Sequence, residues 1–301
     1  VISRKLDAFL VPRFDMFSGE EVPKCEERLK FISNFSGSAG YAIILSNSKL
    51  KSAIFSDGRY ELQLKKEVNS KYFDTFDGGF NEVCLFLNKN KNFIKNIVID
   101  SWLLTLKQYN FLKTIMIDTK ASFEFIEKNL IDEIWYNKPP EIKNKIFKLP
   151  INNTGETFLS KTSRLTKVIK KNNSDFYILF NPIGLAWLLN VRGSDLDHTP
   201  ISRSFCIVSK LSEIFIFTNN NTFKEIIVKN KKIKFYGFDH LQTFLEELKG
   251  KRFLIDSKIL PMKVYNYLVE NRIHYKSIPC PIEKFKSIKN KNELIGFKNA
   301  H

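Results

Sequence analysis

Asn129-Leu130-Ile131-Asp132-Glu133-Ile134-Trp135-Tyr136-Asn137-Lys138-Pro139-Pro140 divides the chain. The stretch from Ser122 to Ile134 reads as a helix, and it runs into two consecutive prolines. Proline has no N–H to give to a helix or a central strand, and it pushes the residue before it into extended backbone. The pair therefore blocks both, and the polar stretch that follows, to about Thr157, reads as a link between domains.

The segments before this link alternate strand and helix. Asp7–Val11 is a short apolar strand stopped by Pro12, and Pro23–Ile32 reads as a helix with Pro in its first turn and acidic residues near its positive end. Strands Tyr41–Leu45 and Ser52–Phe55 are joined by the turn Ser46-Asn47-Ser48, and a helix starts near Tyr60 after the Asp57-Gly58 turn. Asn96–Asp100 reads as a buried strand. Beyond the link the pattern restarts. An amphipathic helix over Phe158–Lys171, capped by Thr154 or Thr157, precedes a strand over Asp175–Leu179 and an apolar helix or turn over Ile183–Asn190. Phe205–Val208 and Ile214–Thr218 form a hairpin, and helices cover about Leu241–Leu248 and Met262–Asn271. The result is α/β: two successive units of similar length, each a mixed sheet covered by helices.

Composition supports this reading and limits the function. A chain of 301 residues, 43% hydrophobic and 27% charged, is long enough for two domains with real cores. No stretch reaches the ~18 consecutive apolar residues of a membrane span. Val1-Ile2-Ser3-Arg4-Lys5 has neither an initiator Met nor the layout of a secretory signal, so the natural protein is expected to start earlier. Cys25, Cys84, Cys206 and Cys280 are scattered without a paired spacing, which favours free buried thiols in a reducing compartment, the cytoplasm. The formal charge of +16 raises nucleic acid as a partner. However, the lysines are spread along the chain among Asn, Ile and Phe, with no recognition motif beside them, so neither a nucleic-acid nor a membrane partner is expected.

Three segments have the makings of a site. Phe35-Ser36-Gly37-Ser38-Ala39-Gly40 has the glycines of a phosphate cradle, but it leaves a helix and enters a strand, the reverse of a phosphate loop, and is read as a structural turn. In Ser56-Asp57-Gly58-Arg59-Tyr60, turn and cap duties account for Asp57 and Gly58 and leave Arg59 and Tyr60 available to a ligand or a neighbouring subunit. Ala186-Trp187-Leu188-Leu189-Asn190-Val191-Arg192-Gly193-Ser194-Asp195, continuing to His198-Thr199-Pro200, sets an apolar anchor beside several directional polar groups. Arg192 has the fork to hold a carboxylate; alternatively, an Arg192–Asp195 pair simply pins a rigid loop. His198 stands far in sequence from His240, His274 and His301, and a lone histidine is more often structural. None of these amounts to a self-sufficient active site.

Taken in order, Pro23–Phe31 with Phe35–Gly40, Asp57–Tyr60, Asn129–Trp135 with Pro139-Pro140, Ala186–Asp195, and Ile288–Leu294 with Gly296 and Ala300-His301 resemble the front of the long, three-domain Xaa-Pro aminopeptidases (aminopeptidase P) of the creatinase/prolidase family. The resemblance implies two consecutive creatinase-N-terminal-like (ribonuclease H-like) domains at residues 1–140 and 141–284. It also implies the start of a pita-bread metallopeptidase domain at 285–301. It implies a cytoplasmic homodimeric peptidase that releases the first residue from peptides with proline at position two. Two divalent metal ions, usually manganese, would be held by two Asp, a His and two Glu of the pita-bread domain. None of those ligand motifs has a counterpart here, and His301 matches a helix residue, so no catalytic or metal residue is carried over. The front domains would help assemble the oligomer and wall the cleft, with Arg59, Tyr60, Arg192, Asp195 and His198 as the substrate-adjacent candidates, and the fragment alone is expected to be inactive. The competing readings are a non-catalytic pseudo-peptidase of the histone-chaperone kind, which the basic charge disfavours, and a creatinase or dipeptide-cleaving prolidase, which the additional middle domain disfavours.

Overall fold

The structure, a computed structural model, describes residues 6–46, 50–142, 144–223 and 231–301. The chain forms two compact units: Val1–Glu141 with Pro261–Lys263, and Ile142–Leu260 with Val264–His301.

In the first unit, β1 (Ala8–Pro12), β2 (Tyr41–Leu45), β3 (Ser52–Ser56), β4 (Phe73–Asp77), β5 (Asn96–Asp100) and β6 (Ser122–Ile126) make one sheet in the order β4-β3-β2-β1-β5-β6. β1, β2 and β3 pair antiparallel, with Leu10 opposite Ile43 and Ala42 opposite Ile54, and the other pairings are parallel. All five residues of β1 are buried, as a strand with neighbours on both sides requires, and Pro12 takes its last position, where a missing N–H disturbs the ladder least. The stretch read as a helix from Ser122 divides in two. Ser122-Phe123-Glu124-Phe125-Ile126 alternates with period two and pairs with β5 from Asn96 to Asp100, and only Leu130–Ile134 is helical, capped by Asn129. Similarly, Pro23–Ile32 is a 3-10 turn at Lys24–Glu26 followed by a helix at Arg28–Ser33, because Glu27 leaves helical geometry at ψ 48°. Asn47 and Ser48 of the expected turn lie outside the described residues. Helices Phe80–Lys89 and Leu106–Ile115, both unread in the sequence, pack Val83, Cys84 and Leu87, and Leu106 and Leu112, into the core.

The second unit repeats this topology. Besides a short ribbon of β7 (Phe147–Lys148) with β9 (Val191–Arg192), it holds β8 (Phe176–Leu179), β10 (Phe205–Ser209), β11 (Ile214–Phe217), β12 (Ile233–Tyr236), β13 (Arg252–Ile255) and β14 (His274–Ser277). The order is β12-β11-β10-β8-β13-β14, and the sense of every pairing matches its counterpart in the first sheet. The expected hairpin is present as β10 and β11, with Val208 opposite Ile214. Thr157 caps the helix Phe158–Lys171 by accepting from Ser160 N.

The repetition extends to single side chains. Asp7 N donates to Asn96 O (2.9 Å) while its carboxylate accepts from the N–H groups of Lys95 (2.8 Å) and Asn96 (2.9 Å). Asp175 does the same at the start of β8: N to Arg252 O (2.7 Å), carboxylate from Arg252 N (2.9 Å). Asp100 and Asp256, at the far ends of β5 and β13, each accept from the backbone N–H two residues on, Trp102 (2.9 Å) and Lys258 (3.0 Å). Their second oxygens take Asn129 Nδ2 (2.8 Å) and Cys280 N (2.9 Å). In both units a carboxylate thus satisfies backbone donors that the ends of the central parallel strands would leave unpaired. All four cysteines are buried and free.

Candidate functional site

The first candidate lies at the end of β3. Asp57 accepts from Arg59 N (3.2 Å), and Gly58–Tyr60 form a 3-10 turn. The Arg59 guanidinium returns onto the same carboxylate through Nε to Oδ1 (2.7 Å) and Nη2 to Oδ2 (2.8 Å). That bonding pulls the Asp57 pKa down to about 2. The Arg59 side chain is 66% exposed, so the pair is displayed to solvent. Tyr60 is anchored: its hydroxyl lies 2.7 Å from Ser38 Oγ and its ring meets Phe35 edge-on at 5.7 Å. Gly58 makes this turn without a positive φ. The Phe35–Gly40 segment is the structural turn its order suggested. It leaves a helix through left-handed Asn34, and a Cβ on Gly40 would lie 2.9 Å from Phe55 O, so the backbone needs glycine for close packing.

The second candidate is built on the helix Pro182–Leu189, buried except at Ile183 and ended by left-handed Asn190 (φ 57°, ψ 41°). Asn190 Nδ2 donates to Glu156 O (2.7 Å), and its Oδ1 accepts from Lys161 Nζ (2.7 Å). The Lys161 ammonium also donates to Trp187 O (2.9 Å) and sits 3.9 Å from the centre of the Trp187 ring. Burial, only partly offset by Glu293 and Glu156, pulls the Lys161 pKa down to about 8. The Trp187 indole N–H donates to Glu293 Oε1 (3.0 Å). Glu293 is itself half of a capping box with Asn290 at the start of the helix Lys291–Ala300. Asn290 and Asn292 tie that helix to Thr154 O (2.8 Å) and Asn152 O (2.7 Å).

Arg192, at the end of β9, turns its guanidinium inward onto backbone oxygens, Nη1 to Val191 O (2.8 Å) and Ala186 O (3.4 Å), and burial lowers its pKa. Asp195 does not pair with it. Its carboxylate accepts from Asn144 N (3.1 Å), Asn220 Nδ2 (3.4 Å), Ser202 Oγ (3.0 Å) and Arg203 N (2.9 Å), so it closes the loop on itself. Gly193 lies against backbone: a Cβ there would be 2.8 Å from Ile201 and Ser202 main-chain atoms. His198 is exposed on the same loop. Arg192, Asp195 and His198 thus share one rigid loop, while Arg59 and Tyr60 belong to the other unit. Lys161, the centre of the second cluster, escaped the sequence reading, and Glu293 was noted only as part of a longer stretch. Among the described residues no three His, Cys, Asp or Glu side chains gather into a set able to hold a metal ion.

The family model described as the Creatinase/Prolidase N-terminal domain matches residues 137–293. A probable Xaa-Pro aminopeptidase P of Laccaria bicolor is 30% identical over 98% of this chain and 47% of its own length. Xaa-Pro aminopeptidase 1 of Dictyostelium discoideum is 30% identical over 99% of this chain and 49% of its own. An X-prolyl aminopeptidase of Caenorhabditis elegans, described as a cytosolic enzyme with a di-nuclear active site, has the same fold with a TM-score of 0.86 at 22% identity, over 99% of this chain and 50% of that one. The chain spans about half the length of these relatives. With the family model matching more than half of its residues, the chain belongs to the creatinase/prolidase family, and it is similar over nearly its whole length to aminopeptidases P.

Proposed function

We propose that this chain is the front portion of an Xaa-Pro aminopeptidase, which releases the N-terminal residue from peptides with proline second. The observation that carries this is the end-to-end similarity: the relatives that align with 98–99% of the chain are Xaa-Pro aminopeptidases. In this reading, residues 1–140 and 141–284 are two supporting domains, and residues 285–301 open a third domain of the pita-bread type. That third domain would hold two divalent ions, manganese in our reading, whose chemistry is to turn bound water into hydroxide near neutral pH. The front domains build a homodimer and limit which peptides reach the cleft. Arg59, Tyr60 and the Arg192–His198 loop face substrate or the neighbouring subunit, and the enzyme works in the cytoplasm. No described helix is long and apolar enough to cross a membrane.

The test is turnover. A longer protein that continues this sequence to the length of the relatives, supplied with manganese, should release the first residue from Xaa-Pro peptides and spare matched peptides with alanine second. The 301-residue chain alone should release none. Activity of the short chain, or no preference for proline in the long one, overturns the proposal.

A further inference from the structure

Helix Lys291–Ala300 has no buried residue of its own, yet its first turn is tied firmly to the rest of the second unit. Beside the Asn290 and Asn292 bonds to Thr154 O and Asn152 O, a further tie runs through Glu293. Trp187 gives its N–H to Glu293 Oε1 (3.0 Å), and Glu293 Oε2 in turn accepts from Asn290 N (2.9 Å), so one carboxylate serves both the indole and the helix cap. The orientation of the indole is in turn set by Lys161, a lysine only 1% exposed. Its ammonium presses on the ring at 3.9 Å and is held from the other side by Trp187 O and Asn190 Oδ1. A buried lysine carries a desolvation cost, and here three favourable contacts, two hydrogen bonds and one cation–π contact, converge to offset it.

We propose that Lys161, Trp187 and Glu293 form a latch, in which the charge on Lys161 fixes the indole so that its N–H grips Glu293 and couples helix 182–189 to helix 291–300. Nothing in the proposed peptidase activity requires this coupling, and it stands whether or not that activity is found. The latch should loosen in mild alkali. The groups that face the ammonium are Glu293 from helix 291–300, Glu156 from the turn before helix 158–171, Arg192 from β9, and Arg164 from its own helix. The two carboxylates favour the charged lysine and the two guanidiniums oppose it, while burial dominates and brings its titration to about 8. Above that pH the cation–π contact and the attraction to Glu293 are lost, although a neutral amine still donates to Trp187 O and Asn190 Oδ1.

The test uses the 301-residue chain. Amide hydrogen exchange in residues 291–300, corrected for the intrinsic pH dependence, should be roughly fivefold faster in Trp187→Phe, which keeps the ring and removes the donor. Lys161→Met should give the same acceleration. Tryptophan emission should titrate with a midpoint near 8 in the parent, and this transition should vanish in both variants, since the remaining tryptophans, Trp102 and Trp135, lie in the other unit. If Lys161→Met does not fold, Asn190→Gly removes one anchor of the ammonium at a left-handed position that glycine accepts, and the same acceleration is expected. Unchanged exchange in folded Trp187→Phe overturns the latch, and an emission transition that survives in Lys161→Met, or unchanged exchange in folded Asn190→Gly, overturns the role of the lysine.

Discussion

Arg28 and Asp132, 104 positions apart, are joined by two parallel bonds, Nε to Oδ1 and Nη2 to Oδ2, each 2.8 Å long. Glu26 takes a third guanidinium nitrogen, Lys138 reaches the same aspartate at 2.9 Å, and Phe31 stacks on Trp135 at 4.8 Å. Two segments that stood out in the sequence, Pro23–Phe31 and Asn129–Trp135, thus owe their character to each other. Each supplies half of one ion pair and half of one ring stack, and the pair closes the helix Leu130–Ile134 onto the front of the unit.

Arg28→Ala removes two charge-assisted bonds from Asp132, which keeps only Lys138, so it should lower the stability of the first unit by about 2 kcal/mol. Arg28→Lys should recover little, because an ammonium cannot reproduce the planar fork. Although burial opposes its charge, the bonds from Arg28 and Lys138 hold the Asp132 carboxyl below its usual range, so its contribution is present at neutral pH and lost in acid. Urea unfolding at pH 7 checks the point, and an unchanged midpoint for Arg28→Ala would sink it.

Asp100 works in the opposite direction. Burial raises its pKa to about 6, against the bonds it accepts from Asn129 and Trp102. The folded state therefore binds this proton more tightly than the unfolded chain, and the associated stability is present below about pH 4 and lost as pH rises through 6. Asp100→Asn should flatten the fall in stability between pH 4 and 7 by something on the order of 2 kcal/mol. The measurement is the melting temperature against pH for the two proteins, and parallel curves would contradict the assignment.

The α/β alternation of strands and helices could be read from the sequence because proline and hydrophobic period are local signals. What stayed hidden depended on distant partners. The edge strand Phe73–Asp77 exposes four of its five residues and so lacks the apolar run that marks a central strand such as Asn96–Asp100. Its identity comes from β3 alongside. The repeated topology left only a trace in sequence, Ile99-Asp100-Ser101 against Ile255-Asp256-Ser257 at the ends of equivalent strands. Lys161 looked like any lysine on an amphipathic helix, and nothing local says that Trp187 and Asn190 will close over it. An Arg192–Asp195 pair, one of the two readings of that loop, fails for the same reason. Spacing allowed it, but Asn144, Ser202, Arg203 and Asn220 converge on the aspartate from elsewhere in the chain.

Two glycines of the second unit should respond oppositely to one methyl group. At Gly193 a Cβ would stand 2.8 Å from the backbone of Ile201 and Ser202, which cannot move aside without opening the loop, so Gly193→Ala should cost about 2 kcal/mol. At Gly296, inside helix 291–300, no atom lies within 4 Å, and Gly296→Ala should stabilise that helix by about 0.5–1 kcal/mol through helix propensity alone. Thermal melts of the two variants provide the comparison, and equal shifts would mean that the loop backbone is not rigid.

If the Arg192–His198 loop lines the substrate path of a full-length peptidase, Arg192 and Asp195 should separate in kinetics. Asp195 accepts four hydrogen bonds from its own unit, so Asp195→Ala should reduce stability by about 2–3 kcal/mol, with KM unchanged in the molecules that remain folded. Arg192 donates only to backbone oxygens, and its fork can turn to a peptide carboxylate. Arg192→Ala should therefore raise KM for an Xaa-Pro peptide roughly tenfold while kcat holds, the pattern of a binding contact made equally in ground and transition states. An unchanged KM in Arg192→Ala would return the arginine to a purely structural role, and a fall in kcat alone would mean that the loop acts on the chemical step.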